Sequence, residues 1–358
     1  MLAALSYGDA IGNEALRIQE ILRGEGFDSD IFAESLHPEM AGRARKLWDY
    51  RSLSRPSGQL LILHFSIGAG VSAFAYHLPD PILLIYHNIT PARWFATFHR
   101  HLAGLCYHGR RELQAFVPRT RLALGDSEFN RAELDAVGFH PTGVLPLLLD
   151  PARLDVPPSE VVLEQFDDDK TNFLFVGRVI PNKCFHDLIK VFAFYQKYID
   201  SNSRLLLVGE WVGFEKYHEA LVRMVDELAL RDVVFTGHVE DDDLAAYYEV
   251  ADLFLCLSEH EGYCVPLVEA FRFGVPVMAV DAGAVPETMG GAGVLIREKR
   301  IDEIALMAHA IVTDEALARS IVERQDRVLE EIDARDDRSL LLSFVHQALE
   351  RESAEVTT

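Results

Sequence analysis

Ser258-Glu259-His260-Glu261-Gly262-Tyr263-Cys264-Val265-Pro266-Leu267-Val268-Glu269-Ala270 is the stretch on which the reading of this chain turns. The apolar run Leu253 to Leu257 before it reads as a buried strand. Pro266 suits the first turn of a helix, where its missing N–H leaves no bond unmade. Gly274 ends that helix two turns on, and Val275 to Val280 begins the next strand. Glu261 is therefore expected in a loop at a strand's carboxyl end, and Glu269 one turn inside the helix. A ligand in the crevice above such a loop meets two carboxylates and the helix N-terminus. Two ordinary surface glutamates beside a helix start fit the same residues, so the rest of the chain has to decide.

The alternation continues on both sides. Upstream, Asn172 to Val176 reads as a strand ending in Gly177-Arg178-Val179-Ile180-Pro181-Asn182-Lys183, with a long helix from about Phe185 to Ile199. Arg204 to Val208 ends in Gly209-Glu210, a helix covers about Lys216 to Leu228, and Val233 to Phe235 leads into Gly237-His238-Val239. Strands and helices alternating at this length imply a parallel sheet covered on both faces. Arg178 and Lys183 fall in one loop near a helix start. With the amides of Gly262 to Val265 they form a set able to neutralise a diphosphate through charge-assisted hydrogen bonds of about 1.5–3 kcal/mol each. Pairing of Arg178 with one of the nearby acids is the plainer alternative.

The first half follows the same plan. Met1 to Leu5 is expected to be a short strand and Ser6 to Glu14 a loop containing glycine, followed by helical periodicity from Ala15 to Arg23. Leu60 to His64 and Ile82 to Asn88 are two more strands. Their terminal histidines, His64 and His87, would share one sheet edge; His87, followed by the polar Asn88 and Thr90, is the stronger candidate, and a structural histidine bonded to a backbone carbonyl is the alternative. Residues 93–121 carry six arginines and three histidines against Glu112 alone, interleaved with Trp94, Phe95, Phe98 and Tyr107. That pattern suits contact with anionic lipid headgroups or a phosphate-bearing acceptor, and equally a solvated helix pair whose aromatics face the core. Ser127 is placed as the cap of a helix through Val137, and Ser353 to Thr358 as a frayed tail.

Length and composition set the frame. The 358 residues suggest two domains, and 49% hydrophobic with 25% charged residues is a globular composition. The formal charge of -22 is unevenly spread: of 34 Lys+Arg and 56 Asp+Glu, residues 1–150 hold 14 and 16, leaving 20 and 40 for the remainder. Phosphate backbones need clustered cations, so a nucleic-acid surface on the acidic half is disfavoured. The shift, with Pro146, Asp150-Pro151, Pro157-Pro158 and Asp167-Asp168-Asp169, marks a linker near residue 150. No apolar run reaches the roughly 18–20 residues of a membrane span. Met1 to Leu5 lacks the basic start and length of a signal peptide. Cys106, Cys184, Cys256 and Cys264 have no C-x-x-C spacing, so neither a zinc site nor a disulfide framework is expected. Cytoplasmic localisation, with peripheral membrane contact through 93–121, is the expectation.

Taken together, Gly177-Arg178…Lys183, Val208-Gly209, Gly237-His238-Val239 and Glu261-x₇-Glu269 resemble, in order and spacing, the retaining glycosyltransferases of family 4. The resemblance covers essentially the whole chain, including Asp126-Ser127-Glu128 and Pro146. It implies an α/β protein of GT-B fold: two Rossmann-like doubly wound parallel-sheet domains facing a central cleft. Their expected bounds are 1–152, with a returning helix at about 338–352, and 153–337. It implies transfer of a hexose-type sugar from a nucleotide-diphosphate sugar, UDP- or GDP-linked, to a glycan or lipid-linked acceptor, with no metal and no cofactor.

By position, Arg178 and Lys183 would hold the donor diphosphate and stabilise the leaving group's charge. Glu261 would contact the donor sugar, with the amides of Gly262, Tyr263, Cys264 and Val265 close to sugar and phosphate. Glu269 would accept bonds from the ribose hydroxyls, and the segment around His238 and Val239 would line the base. Gly177 and Gly209 would belong to the donor-binding set, Gly12 would lie near phosphates and acceptor, and His87 would touch the donor sugar. The first loop departs from the family pattern, with Gly12-Asn13 in place of a double glycine. A nucleotide-sugar epimerase or hydrolase on the same fold, or a non-catalytic sugar-nucleotide-binding protein, are the other readings.

Overall fold

The computed structural model describes residues 1–6 and 9–355, the side chains of 351–355 excepted. Tyr7 and Gly8 of the first loop and residues 356–358 of the expected C-terminal tail lie outside the described residues, while 353–355 continue the last helix. The chain folds into two compact units: residues 1–93, 101–150 and 336–358 form unit 1, and residues 94–100 and 151–335 form unit 2.

Unit 1 opens with β1 (Leu2–Leu5), α1 (Ala10–Gly24), β2 (Phe32–Leu36) and the two-residue β3 (Arg45–Lys46). It continues with β4 (Leu61–Phe65), α2 (Gly70–Tyr76), β5 (Ile82–Tyr86), α3 (Arg100–Ala115), β6 (Thr120–Gly125), α4 (Glu128–Val137) and β7 (Thr142–Val144). All pairings are parallel, in the orders β1-β2-β3 and β4-β5-β6-β7. The His64 N–H donates to the Met1 carbonyl at 2.9 Å, so β1 lies beside β4. The chain order therefore reverses direction between β1 and β4, which opens a crevice at the strands' carboxyl ends.

The start of α1 corrects the sequence reading. Gly12 is not in a loop but in the helix's first turn, because the Asp9 side chain accepts its N–H at 3.1 Å and caps the helix at Ala10. A Cβ at Gly12 would sit 3.1 Å from the Ser6 carbonyl oxygen, which explains the small residue there. Periodicity alone found only the later turns, since Ala10 to Asn13 offers few apolar positions.

Unit 2 runs α5 (Glu160–Phe166), β8 (Thr171–Val176), α6 (Phe185–Tyr198), β9 (Ser203–Val208), α7 (Glu215–Glu227), β10 (Val233–Gly237), α8 (Asp241–Glu249) and β11 (Leu253–Cys256). It closes with α9 (Val265–Arg272), β12 (Val277–Val280), α10 (Val285–Met289), β13 (Val294–Ile296), α11 (Ile301–Thr313) and α12 (Glu315–Asp333). The strands form one parallel six-stranded sheet in the order β10-β9-β8-β11-β12-β13. Parallel strands need crossovers, which the helices provide, and both faces are covered accordingly. The interior is aromatic: Phe173, Phe175, Phe185, Phe192, Tyr195 and Phe254 are each at most 2% exposed. Burying side chains of this class contributes about 1.5–3 kcal/mol apiece.

The chain then returns to unit 1 as α13 (Asp337–Glu355). Leu341, Val345 and Ala348 pack into one cluster with Ile18, Leu22, Leu83, Leu122 and Leu124. The aromatics at the start of the basic segment take a different place from the rest of it. Phe95 is 4% exposed with its ring 5.5 Å from Phe214, and Phe98 lies 5.0 Å from Tyr217, so residues 94–100 are built into unit 2. Tyr107, on α3 of unit 1, is 55% exposed.

Candidate active site

The order of the second sheet decides what meets what. β8 and β11 are neighbours although three strands apart in sequence number, and the chain winds outward from them in both directions. The loops after these two strands thus leave the sheet side by side, at the position where doubly wound sheets bind ligands. The loop after β8 carries Gly177, Arg178 and Lys183; the loop after β11 carries Glu261 to Cys264.

Lys183 and Glu261 form the centre. The Lys183 ammonium lies 2.6 Å from both carboxylate oxygens, a symmetric bidentate pair with 18% and 6% of the side chains exposed. Burial works against the lysine's charge, but the charge of Glu261, with smaller contributions from the Cys264 and Cys256 sulfurs, holds Lys183 above the ordinary lysine range. Asn182, 2% exposed, fixes the two loops to each other. Its Nδ2 donates to the His260 carbonyl at 3.2 Å, and its own carbonyl accepts the Glu259 N–H at 2.9 Å. Lys299 adds a bridge from β13's end, donating to Asp187 Oδ2 at 2.9 Å and Glu259 Oε1 at 2.7 Å.

The floor under Glu261 is glycine. Gly283 has φ +61°, and a Cβ there would lie 2.2 Å from the Glu261 carbonyl oxygen, while the Ala284 N–H donates to that same oxygen at 3.0 Å. A similar close approach shapes the strand ends. Gly209, at φ +146°, would put a Cβ 2.0 Å from the Gly177 carbonyl oxygen, so the β8 and β9 loops pass in backbone contact.

Arg178 is 55% exposed at its side chain, 3.8 Å from Glu210 and with a long 3.4 Å contact to the Val212 carbonyl. These are weak ties, and the guanidinium is accessible for an anion. His238 is also half exposed and 4.0 Å from Glu240; Val239 follows it in the same turn. Tyr263 and Cys264 are buried, the Tyr263 carbonyl accepts from Thr288 at 2.5 Å, and Cys264 turns into α9 with φ +74°. Gly262 stands between them and Glu261, and Val265 is the first residue of α9.

Glu269 sits on α9, where Arg153 donates to its Oε1 at 3.2 Å and Tyr248 to its Oε2 at 2.8 Å. Burial raises this carboxyl above the usual range, with Arg153 opposing the shift. Arg153 also pairs with Asp241 at 2.7 Å. Sequence reading missed Arg153, Tyr248, Asn182, Lys299 and Gly283. Arg153 lay inside what read as linker, and none of the others stands in a local pattern that announces its partner.

Gly12 and His87 belong to unit 1. The His87 side chain is 2% exposed, its Nε2 2.9 Å from His64 Nδ1 and 3.4 Å from Glu14, and its Nδ1 3.5 Å from Asp126. Nε2 is thus taken by the hydrogen bond to His64, while Nδ1 faces Asp126 without a hydrogen bond of ordinary geometry.

Comparison with known proteins places this arrangement. Solved structures similar over nearly their whole length include sucrose-phosphate synthase from Thermosynechococcus elongatus, with a TM-score of 0.74 at 17% identity covering 98% of this chain and 99% of that one. HepE of Anabaena in complex with UDP-glucose gives 0.69 at 17% identity, covering 99% of each chain. At these identities the likeness defines the fold: the protein is of the GT-B class. Residues 162–328 match the family described as glycosyl transferases group 1. The O-antigen chain mannosyltransferase B of Escherichia coli is 24% identical over 255 residues, which cover 66% of this chain and 64% of that protein, so the chain spans less than two thirds of that curated relative. Over residues 162–328, within unit 2, the chain therefore resembles the group 1 glycosyltransferases.

Proposed function

We propose that the protein is a retaining glycosyltransferase that moves a hexose-type sugar from a nucleotide-diphosphate sugar to a glycan or lipid-linked acceptor. The observation that carries this reading is the Lys183–Glu261 pair at the junction of β8 and β11, with the accessible Arg178 in the same loop. The pair is a preformed cation and hydroxyl acceptor at the switch point of a parallel sheet. In the presence of donor, Lys183 and Arg178 neutralise the diphosphate as the glycosidic bond breaks, in the role that a metal ion takes elsewhere. Glu261 accepts bonds from sugar hydroxyls, the amides of Gly262 to Val265 at the start of α9 approach phosphate and sugar, and Glu269 takes the ribose hydroxyls. His238 and Val239 border the base, and Gly177 and Gly209 keep the two strand ends low enough for the nucleotide. Retention follows a front-face displacement, so no side chain serves as covalent nucleophile.

A UDP-glucose complex among the similar folds and mannosyltransferases among the relatives support a UDP- or GDP-linked hexose. The basic character of residues 93–121 supports an anionic acceptor or lipid surface, although Arg110 of α3 is taken by Glu133 and the Ile89 carbonyl; no helix among the described residues is long and apolar enough to cross a membrane.

The test is a panel of UDP-, GDP- and ADP-sugars scored by thermal shift, by hydrolysis, and by transfer to lipid-linked acceptors, with the product anomer read by NMR. At least one donor raises the melting temperature and yields a product of retained configuration. Failure of every donor to stabilise the protein removes the donor site, and inversion at the anomeric carbon removes the retaining reading.

A further inference from the structure

The loop that carries Glu261 is bracketed by two cysteines whose thiols have no part in the proposed transfer. Cys256 is the last residue of β11, and Cys264 is the residue that turns into α9. Both are buried, Cys256 completely and Cys264 with 7% exposure. Their sulfurs and a carboxylate oxygen of Glu261 all lie within 4.8 Å of one another. Cys264 takes its place at a φ of +74°, a left-handed conformation that favours glycine over any residue with a side chain.

The pair is chemically unlike the other two thiols. Burial pushes Cys106 and Cys184 up to about 11. Cys184, also at a positive φ, has His186 and Asp187 beside it and not a second thiol. Cys256 is instead held below the ordinary thiol range, chiefly by a hydrogen bond from the Cys264 thiol, with burial opposing. Ser258 assists, its Oγ 3.4 Å from the Cys256 sulfur. The Cys264 thiol is pushed up in turn. The Lys183 ammonium, 2.6 Å from Glu261, faces the same two sulfurs. A thiolate close to a lysine is the reactive form of cysteine, and a neighbouring thiol resolves its first oxidation product.

We propose that Cys256 and Cys264 are a reversible redox site, at which a peroxide closes an intramolecular disulfide and shuts the donor site. The loss of donor binding rests on the donor-site reading above; the disulfide does not. Peroxide enters at Cys264, the more exposed of the two. One sulfur takes an oxygen as sulfenic acid while the O–O bond breaks and a water leaves. The second sulfur attacks it, the S–S bond forms, the S–O bond breaks, and a second water carries off the other thiol proton. Two thiols are oxidised and one peroxide is reduced. The new bond is about 2.0 Å long, so residues 257–263 are drawn tighter. Glu261 lies in that span with its carboxylate in the same cluster, and closure displaces it from Lys183.

The test uses the full chain, reduced, freed of reductant and treated with hydrogen peroxide. Trypsin leaves both cysteines on one peptide, Asp232 to Arg272, with no other cysteine. That peptide should lose about 2 Da and regain it with dithiothreitol. Affinity for the sugar nucleotide selected by the donor panel should fall about tenfold or more with peroxide and return with dithiothreitol. Cys256→Ala should keep its affinity under both conditions. A peptide of unchanged mass, or one carrying sulfinic or sulfonic acid in place of the bond, overturns the redox site, whether or not the variant folds. A disulfide that leaves affinity intact, or a Cys256→Ala protein that peroxide disables as it does the wild type, overturns the switch. If no donor binds the reduced protein, the donor-site reading fails, and the switch with it, while the peptide mass still decides the disulfide.

Discussion

The ammonium of Lys183 is 2.6 Å from both carboxylate oxygens of Glu261, although 78 residues separate the two in sequence. Each is the other's counter-ion in a largely desolvated setting. Removing one partner therefore strands the other, and the two single variants should not behave alike.

For Lys183→Ala, the stranded group is a buried carboxylate. Loss of stability of about 3–5 kcal/mol is expected, with transfer reduced on the order of 10²–10³-fold or more. Lys183→Met combined with Glu261→Gln should recover most of the stability and none of the activity. Denaturant titration with single-turnover transfer separates the two effects; a double variant that stays as unstable as Lys183→Ala would contradict the pairing.

Arg153 holds Glu269 from a segment that reads as a linker, and Tyr248 holds its other oxygen. On the proposed reading, in which Glu269 takes the ribose hydroxyls, Arg153→Ala should raise KM for the donor more than it lowers kcat. An unchanged KM with a collapsed kcat would move Arg153 and Glu269 out of the donor-binding role.

Gly283→Ala places a methyl group 2.2 Å from the Glu261 carbonyl oxygen at a φ of +61°. Neither backbone yields easily there, so a cost on the order of 1–3 kcal/mol is expected, together with displacement of Glu261 and weaker donor binding. Isothermal titration with the cognate donor reads this directly. Wild-type affinity in a folded Gly283→Ala protein would show that the floor beneath Glu261 tolerates a side chain.

Asp187 gives a pH signature. Burial raises its carboxyl, and the hydrogen bonds from Lys190 and Lys299 outweigh that and hold it below the usual range. A depressed folded-state pKa adds stability that is complete above the unfolded value, about 3.9, and is lost as pH falls through the folded value. Asp187→Asn should therefore flatten the decline of stability below about pH 4 and lower the neutral plateau. Parallel acid limbs for wild type and variant would refute the assignment.

Much of the fold was legible because it is periodic. Alternating apolar strands and amphipathic helices, punctuated by glycine and proline, set out a parallel α/β protein, and the acidic shift after residue 150 marked a change of unit. Helix starts were less legible. The Asp9 cap brings Ala10 to Asn13 into α1. The segment 94–100 was legible as aromatic and basic, but its attachment to unit 2 through Phe214 and Tyr217 leaves no trace in local pattern.

For the candidate site, sequence alone determined which residue types stand at which strand ends: a lysine after β8, a glutamate after β11, glycines where backbones turn. These follow from short-range rules of strand, loop and helix, each written within about ten residues. Tertiary structure alone decided that β8 and β11 are neighbours, that Lys183 therefore meets Glu261, that Arg153 reaches Glu269, and that Glu14, His64 and His87 close into one triangle. Strand order is set by packing and crossover across the whole unit, so it brings together side chains that no local stretch of sequence relates.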